Sequence, residues 1–427
     1  MKKRTLVPLA AALAGAAFAL DVEADPPDGG RADPAALARV AITDTPRGEG
    51  AIEALRELGP SGLVALLEEH AEAVQALRRG ESGHAGLRRA LDRVSGQRDG
   101  HASGLYWFTD LGRARRAARA LDRPVLSLRM LGRLDEERSC ANSRYFRLML
   151  YANERVARLL ASRFVLHWSS EREQVPQITV DLGDGRRIES TITGNSVHYV
   201  LDAEGRPLDV IPGMYTPEGF ARALEEAHGL WRRCAGRGRA CVAEAHREGL
   251  VELTRRWNRG RLPGAPPFAA LAGYRPGPQG AGTGVGPGGP WPRVPARNAL
   301  PVAITKSGIE MPLLGGLTGQ TGAPPPWASW HARPAMVFDA RSRGLLRLKS
   351  GQRDTRALEA RLVALVQEDE LQNEFMVRAE IRERLASDPP ATLEALNAWV
   401  YAEVFLTPAS DPWLGLRDET LFDGIER

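Results

Sequence analysis

A single cysteine stands where the sequence predicts the first turn of a helix. In the stretch EERSCANSRY, Cys140 follows charged residues and opens a helical pattern that continues to about Leu160. A sulfur at a helix N-terminus faces free backbone N–H groups and the positive end of the helix dipole, and both favour the thiolate. Ser143, three residues later, is predicted to donate a hydrogen bond to that sulfur. Cys140 and Ser143 are therefore the candidate catalytic residues.

The charges around the cysteine act in both directions. Arg138 and Arg144 favour a thiolate, whereas Glu136 and Glu137 oppose it. A lone thiolate attacks a disulfide, a glutathionylated thiol or a peroxide, and the resulting mixed disulfide or sulfenic acid needs an external thiol to recover. An alternative stays open, because a buried thiol is also a good small hydrophobe and Cys140 would then only fill space in the scaffold.

The two other cysteines flank the segment AGRGRA, whose glycines allow the chain to turn back. A structural disulfide between Cys234 and Cys241 is the leading interpretation for an exported chain. A zinc site with His228 and His246 is the alternative, although its spacing fits no standard zinc pattern. We predict no bound metal and no cofactor.

The N-terminus predicts export. MKKRTLVPLAAALAGAAFAL has a basic start, an apolar run and a small-residue end, which is typical of a signal peptide over residues 1–19. We therefore expect a periplasmic or extracellular protein with no membrane span after signal removal, and an uncleaved N-terminal anchor is the alternative. Three of the 57 basic residues lie in this leader, so the rest nearly balance the 53 acidic ones. No basic stripe is present, and a nucleic-acid partner is not predicted.

Helical and strand patterns divide the chain. Residues 34–100 predict helices, with GPSG as a turn between two of them. Apolar runs predict strands at PVLSLRML and RFVLHW, joined through the Cys140 helix as a βαβ crossover. Two hairpins follow, centred on Gly183–Gly185 and Ala203–Gly205, and Thr216 and Pro217 begin another helix. The apolar residues that recur near the N-terminus at three- and four-residue spacing are Ile52, Leu55, Leu58, Leu63, Leu66 and Leu67.

From Trp107 to His228 this order of elements resembles an exported thioredoxin-like domain. The phrase HYVLDAEGRPLDVIPGMYTPEGF is the most typical part. Two departures stand out: the family's Cys-x-x-Cys reads Cys140-Ala141-Asn142-Ser143 here, and the place of its cis-proline falls at Ser196. The resemblance implies that Asn142, Asn195 and Ser196 line the substrate site, with the last two in the loop opposite Cys140.

The predicted fold is α/β. A thioredoxin-like domain with a helical extension (105–260) follows a helical N-terminal region (20–104), and a Pro/Gly-rich linker (261–295) leads to a mostly helical region (296–427). The predicted function is monothiol thiol-disulfide chemistry in the cell envelope, with protein thiols or disulfides as partners. The alternative is a non-catalytic thioredoxin-like module that binds an envelope protein. His167 and His198, on predicted central strands, are interpreted as core histidines, and the motifs G-x-S-x-G and H-E-x-x-H of hydrolases are absent.

Overall fold

The computed structural model describes residues 33–191, 195–271, 327–405 and 407. The predicted signal peptide, most of the predicted linker and the outer parts of the C-terminal region lie outside these residues. The described chain is mixed α/β, which confirms the coarse fold class.

The N-terminal region is helical, as its periodicity predicts. Its apolar stripes pack together, and Ile52, Leu55, Leu63 and Leu66 are buried. Leu58, which shares the apolar spacing, lies between two helices and is 44% exposed. The helices are α1 (Pro34–Ala41), α2 (Pro46–Glu57), α3 (Pro60–Glu69), α4 (Ala71–Arg78), α5 (Ala85–Ser95) and α6 (Gly100–Ser103).

A five-stranded mixed sheet lies at the centre, in the order β1-β3-β2-β6-β7. The first three of these are parallel, β6 is antiparallel to β2, and β7 is antiparallel to β6. A separate antiparallel hairpin, β4–β5, occupies the predicted position around Gly183–Gly185. The strands are β1 (Trp107–Phe108), β2 (Val125–Leu131), β3 (Val165–Arg172), β4 (Gln177–Asp181), β5 (Arg187–Thr191), β6 (Ser196–Leu201) and β7 (Pro207–Pro212).

The crossover from β2 to β3 is shorter in its first helix than the sequence predicts. Helix α8 (Ala141–Tyr145) continues as a π-helical turn (Phe146–Leu150). The helix then ends, and a short non-helical segment leads to α9 (Glu154–Arg163). The Asn153 side chain accepts a hydrogen bond from the Val156 amide and so starts the second helix. One continuous helix from Cys140 to Leu160 was therefore wrong, although the parallel crossover is confirmed.

Helices cover both faces of the sheet. Helices α8, α9 and α10 (Pro217–Cys234) lie on one face, and α10 begins at the predicted Thr216 cap. The other face is covered by α7 (Leu111–Leu121) and by helices from the C-terminal region. Long helix α11 (Arg239–Gly260) follows α10. The later helices are α12 (Phe268–Leu271), α13 (Trp327–Trp330), α14 (Ala340–Ser350), α15 (Arg356–Gln372), α16 (Arg378–Ser387) and α17 (Leu393–Trp399), with π-helical turns at Asn373–Val377 and Val400–Val404.

The C-terminal region therefore completes the core of the central sheet. The connection between β3 and β6 carries the β4–β5 hairpin and no helix among its described residues, so part of one sheet face would otherwise be uncovered. Leu393, Leu396 and Val400 pack on this face against Val197 and Tyr199. In the described part of this region a short helix begins at Trp327, and the longer helices begin at Ala340.

Candidate functional site

Cys140 lies at the N-cap of α8, where the sequence places it. Its backbone amide donates to the Leu131 carbonyl at the end of β2, and its carbonyl accepts from the Arg144 amide at 3.1 Å. The Sγ atom lies 3.1 Å from Ser196 Oγ at the start of β6. The structure therefore brings together the cysteine and the loop residue that the resemblance puts opposite it.

Ser143 makes different contacts from those predicted. Its hydroxyl lies 2.6 Å from Ser139 Oγ and 2.9 Å from the Cys140 carbonyl oxygen, both within hydrogen-bonding distance. The hydroxyl in contact with the sulfur is that of Ser196. Ser143 thus ties the loop before the cysteine to the first helical turn, and Ser196 is the hydroxyl placed to donate to Cys140 when its sulfur is a thiolate.

The two asparagines are buried rather than presented to a substrate. Asn195 donates through Nδ2 to Thr407 Oγ1 at 2.8 Å, and its carbonyl accepts from the Tyr401 hydroxyl at 3.0 Å. Asn142 is fully buried, and its amide oxygen and nitrogen have no hydrogen-bond partner among the described residues. The loop opposite Cys140 is therefore held by the end of the C-terminal region.

The thiol is closed off from solvent. Cys140 and Ser196 are each 0% exposed. The β4–β5 hairpin contributes to the cover, because Arg138 pairs with Glu189 and Arg144 donates to Thr191 Oγ1 at 2.9 Å. A macromolecular substrate would reach the sulfur only after part of this cover moves.

The buried cation of the site is Arg147, which the sequence analysis missed. Its side chain is 2% exposed and donates to the Ser139 hydroxyl and the Glu137 carbonyl. Arg138 and Arg144, the predicted cations, point to the hairpin instead. Helical spacing could have predicted this position, because Arg147 comes four residues after Ser143 and so lies on the same side of the helix.

His167 and His198 are buried core side chains, as predicted, and each makes one side-chain hydrogen bond. His167 Nδ1 lies 2.8 Å from Ser127 Oγ, and His198 Nε2 lies 2.7 Å from the Tyr151 hydroxyl. Burial lowers the pKa of His198 to about 3, and burial followed by the charge of Arg129 lowers the pKa of His167 to about 4. Both imidazoles are therefore neutral in the native protein at neutral pH.

These histidines predict a loss of stability in mild acid. Below a pH of about 6.5 the histidines of the unfolded chain are protonated, whereas the native imidazoles stay neutral. As the pH is lowered, the free energy of unfolding therefore decreases by about 1.4 kcal/mol per pH unit for each histidine, down to its native pKa. His167→Gln, which cannot charge, should flatten the slope by about that amount between pH ~6 and pH ~4.5. Urea unfolding across this range measures the slope, and identical profiles for variant and wild type would contradict the assignment.

Cys234 and Cys241 are joined by a disulfide, with their Cα atoms 5.5 Å apart. The zinc alternative is therefore wrong. Its His246 is also engaged, with Nε2 2.8 Å from the Leu208 carbonyl, and the His228 ring packs beside Trp231. Within the described ranges, no group of three or more His, Cys, Asp or Glu residues is arranged to hold a metal ion.

Among the described helices, none is both long and apolar enough to cross a bilayer. Comparison with known proteins finds no family model, no curated protein and no solved structure that matches this chain.

Proposed function

We propose that this is an exported thioredoxin-like protein whose single thiol, Cys140, performs thiol-disulfide chemistry in the cell envelope. The observation that carries the proposal is the contact of 3.1 Å between Cys140 Sγ and Ser196 Oγ across the C-terminal end of β2. It joins a helix N-cap to the first residue of β6, and a thioredoxin-like site has its nucleophile and its opposing segment at these two places.

The order of elements supports the fold part of the proposal. Parallel strands β1, β3 and β2 are followed by antiparallel β6 and β7, and the helix that carries the cysteine starts after β2. The closing hairpin leads into α10, as in the thioredoxin-like order. The β4–β5 hairpin and the covering C-terminal helices are additions to that order.

The chemistry follows from one sulfur. The Cys140 thiolate attacks one sulfur of a disulfide, forms a mixed disulfide and releases the other sulfur as a thiolate. An external thiol then attacks the mixed disulfide and returns Cys140 to its reduced form. The Ser196 hydroxyl stabilises the thiolate by donating to it, and the helix N-terminus adds its dipole.

A second candidate is a non-catalytic thioredoxin-like module that binds an envelope partner. Complete burial of Cys140 favours it, because a thiol without access to solvent serves as a small apolar side chain. The hydrogen bonds of Asn195 to Thr407 and Tyr401 favour it too, since they close the loop opposite the sulfur.

Iodoacetamide alkylation of Cys140 across pH separates the two candidates, with the Cys234–Cys241 disulfide kept intact. For a working thiol, we expect native protein to react much faster than it unfolds. Ser196→Ala should then shift the half-maximal rate to higher pH, because the thiolate loses its hydroxyl donor. Ser143→Ala is the matched control, since its hydroxyl contacts Ser139 and the Cys140 carbonyl instead. Alkylation only at the rate of global unfolding would reject the redox function and favour the binding module.

A further inference from the structure

A network of charged side chains, two of them buried and the others partly exposed, borders the loop that leads to Cys140. Arg147 Nη1 lies 3.9 Å from Asp99 Oδ2, and Lys349 Nζ lies 2.9 Å from the same oxygen. Lys349 also pairs with Glu137 at 2.6 Å, and Glu137 accepts from Arg98 Nε at 3.0 Å. The network joins the N-terminal helical region, the Cys140 loop and helix α14 of the C-terminal region.

Arg147 directs its remaining donors at that loop. Nη2 donates to Ser139 Oγ at 3.1 Å and to the Glu137 carbonyl at 3.3 Å, and Nε lies 3.4 Å from the Ser143 carbonyl. Its partners thus stand on both sides of Cys140 in the chain. A planar guanidinium with five donors suits this multiple contact, which a lysine ammonium would not reproduce.

Packing alone does not account for an arginine at this position. Transfer of a charged group into the interior costs several kcal/mol, and a methionine of similar volume would fill the same space without that cost. Burial does lower the pKa of Arg147, while Asp99 and Glu137 act to raise it. Asp99 supplies the counter-charge from a residue with a left-handed backbone, at φ 62°.

We propose that Arg147 is the positioning residue of the Cys140 thiol: it fixes the loop Glu137–Ser139 and sets the local positive charge. Asp99 lies 3.9 Å from the guanidinium without a hydrogen bond to it and partly offsets its charge. The N-terminal helical region contacts Arg147 through Asp99, and Lys349 of the C-terminal region contacts Asp99 and the loop residue Glu137. The effect on reactivity rests on the proposed function, whereas the effect on loop order does not.

The first test compares alkylation profiles in the full mature chain. Arg147→Met should raise the pH of half-maximal alkylation by about one unit, which corresponds to about tenfold less reaction at a fixed lower pH. Arg147→Lys should recover part of the shift. Asp99→Asn should shift it the other way, because the guanidinium loses its offsetting charge. Opposite shifts are not expected from a residue that only fills space.

Arg382→Met is the matched control, because Arg382 is also a buried arginine but contacts Glu226 on α10. It should lower stability and leave the alkylation profile unchanged. The inference is overturned if Arg147→Met and Arg382→Met give the same profile as the wild type.

Amide hydrogen exchange tests the positioning role of Arg147 even if wild-type Cys140 does not react with iodoacetamide. In that case the proposed function fails, and loop order alone decides on Arg147. We expect Arg147→Met to speed exchange of the amides from Ser139 to Ser143 by at least about tenfold beyond the change in Arg382→Met. Equal protection of this segment in the two variants would reject the positioning role independently.

Discussion

Replacing Arg378 by methionine is expected to lower the free energy of unfolding by about 3–5 kcal/mol. Arg378 is fully buried on α16. Its Nη2 lies 3.1 Å from Asp209 Oδ2 on β7, and its Nη1 lies 3.2 Å from Glu374 Oε2. Burial alone would raise the pKa of Glu374, but Arg378 and Arg256 outweigh it and lower this pKa to about 2. The substitution leaves carboxylates in the interior with part of their counter-charge removed, and that is the origin of the cost.

Urea unfolding of the Arg378→Met protein measures this loss. Arg356→Met is the control, because Arg356 pairs with Asp354 at an exposed site, where water and salt screen the attraction and an ion pair adds little stability. The double variant Arg378→Met with Asp209→Asn should lose less than the sum of the two single losses, since the Asp209 charge is then removed as well. Equal, small losses for Arg378→Met and Arg356→Met would contradict the role of the buried network.

The sequence predicted the local features of the site well. Helix caps, helix starts and tight turns depend on a few neighbouring residues, so each can be predicted from the local sequence. Examples are the cap at Cys140, the helix start at Thr216-Pro217 and the turn at Gly183–Gly185. The place of Ser196 opposite the sulfur came from the thioredoxin-like order of elements.

The contacts that the sequence did not predict join distant parts of the chain. Tyr401 and Asn195 are 206 residues apart, and the Lys349–Glu137 ion pair spans 212. The local apolar periodicity predicts that a helix has a buried face, but it does not predict which other helix or strand packs against that face. For the same reason the cover over Cys140 became visible only in the structure.

The π-helical turn after α8 was also hidden from the sequence. Phe146–Leu150 has the apolar spacing of an ordinary helix, and the extra residue per turn shows only in its backbone hydrogen bonds, such as the Tyr151 amide to the Phe146 carbonyl at 2.7 Å. This turn determines the position of Tyr151. The pKa of the Tyr151 phenol is raised well above its usual value, mainly by burial and next by the negative charge of a neighbouring Cys140 thiolate.

Leu396→Ala should remove about 2–5 kcal/mol of stability. Leu396 is fully buried on α17, in the apolar cluster that includes Val197 and Tyr199 of β6. The deletion leaves a cavity between the C-terminal region and the central sheet. Leu58→Ala makes the same chemical change at a site that is 44% exposed, and it should cost less than about 1 kcal/mol.

Hydrogen exchange in Leu396→Ala decides whether the C-terminal region and the sheet form one cooperative unit. If they do, α17 and strands β2 and β6 lose protection together, because the cluster is shared. Faster exchange in α17 alone would mean that the region unfolds separately. Helix α17 leads into Tyr401, which holds the Asn195 carbonyl beside the sulfur site. Native alkylation of Cys140 should therefore speed up in Leu396→Ala and stay unchanged in Leu58→Ala, since only the first loosens the cover over the thiol.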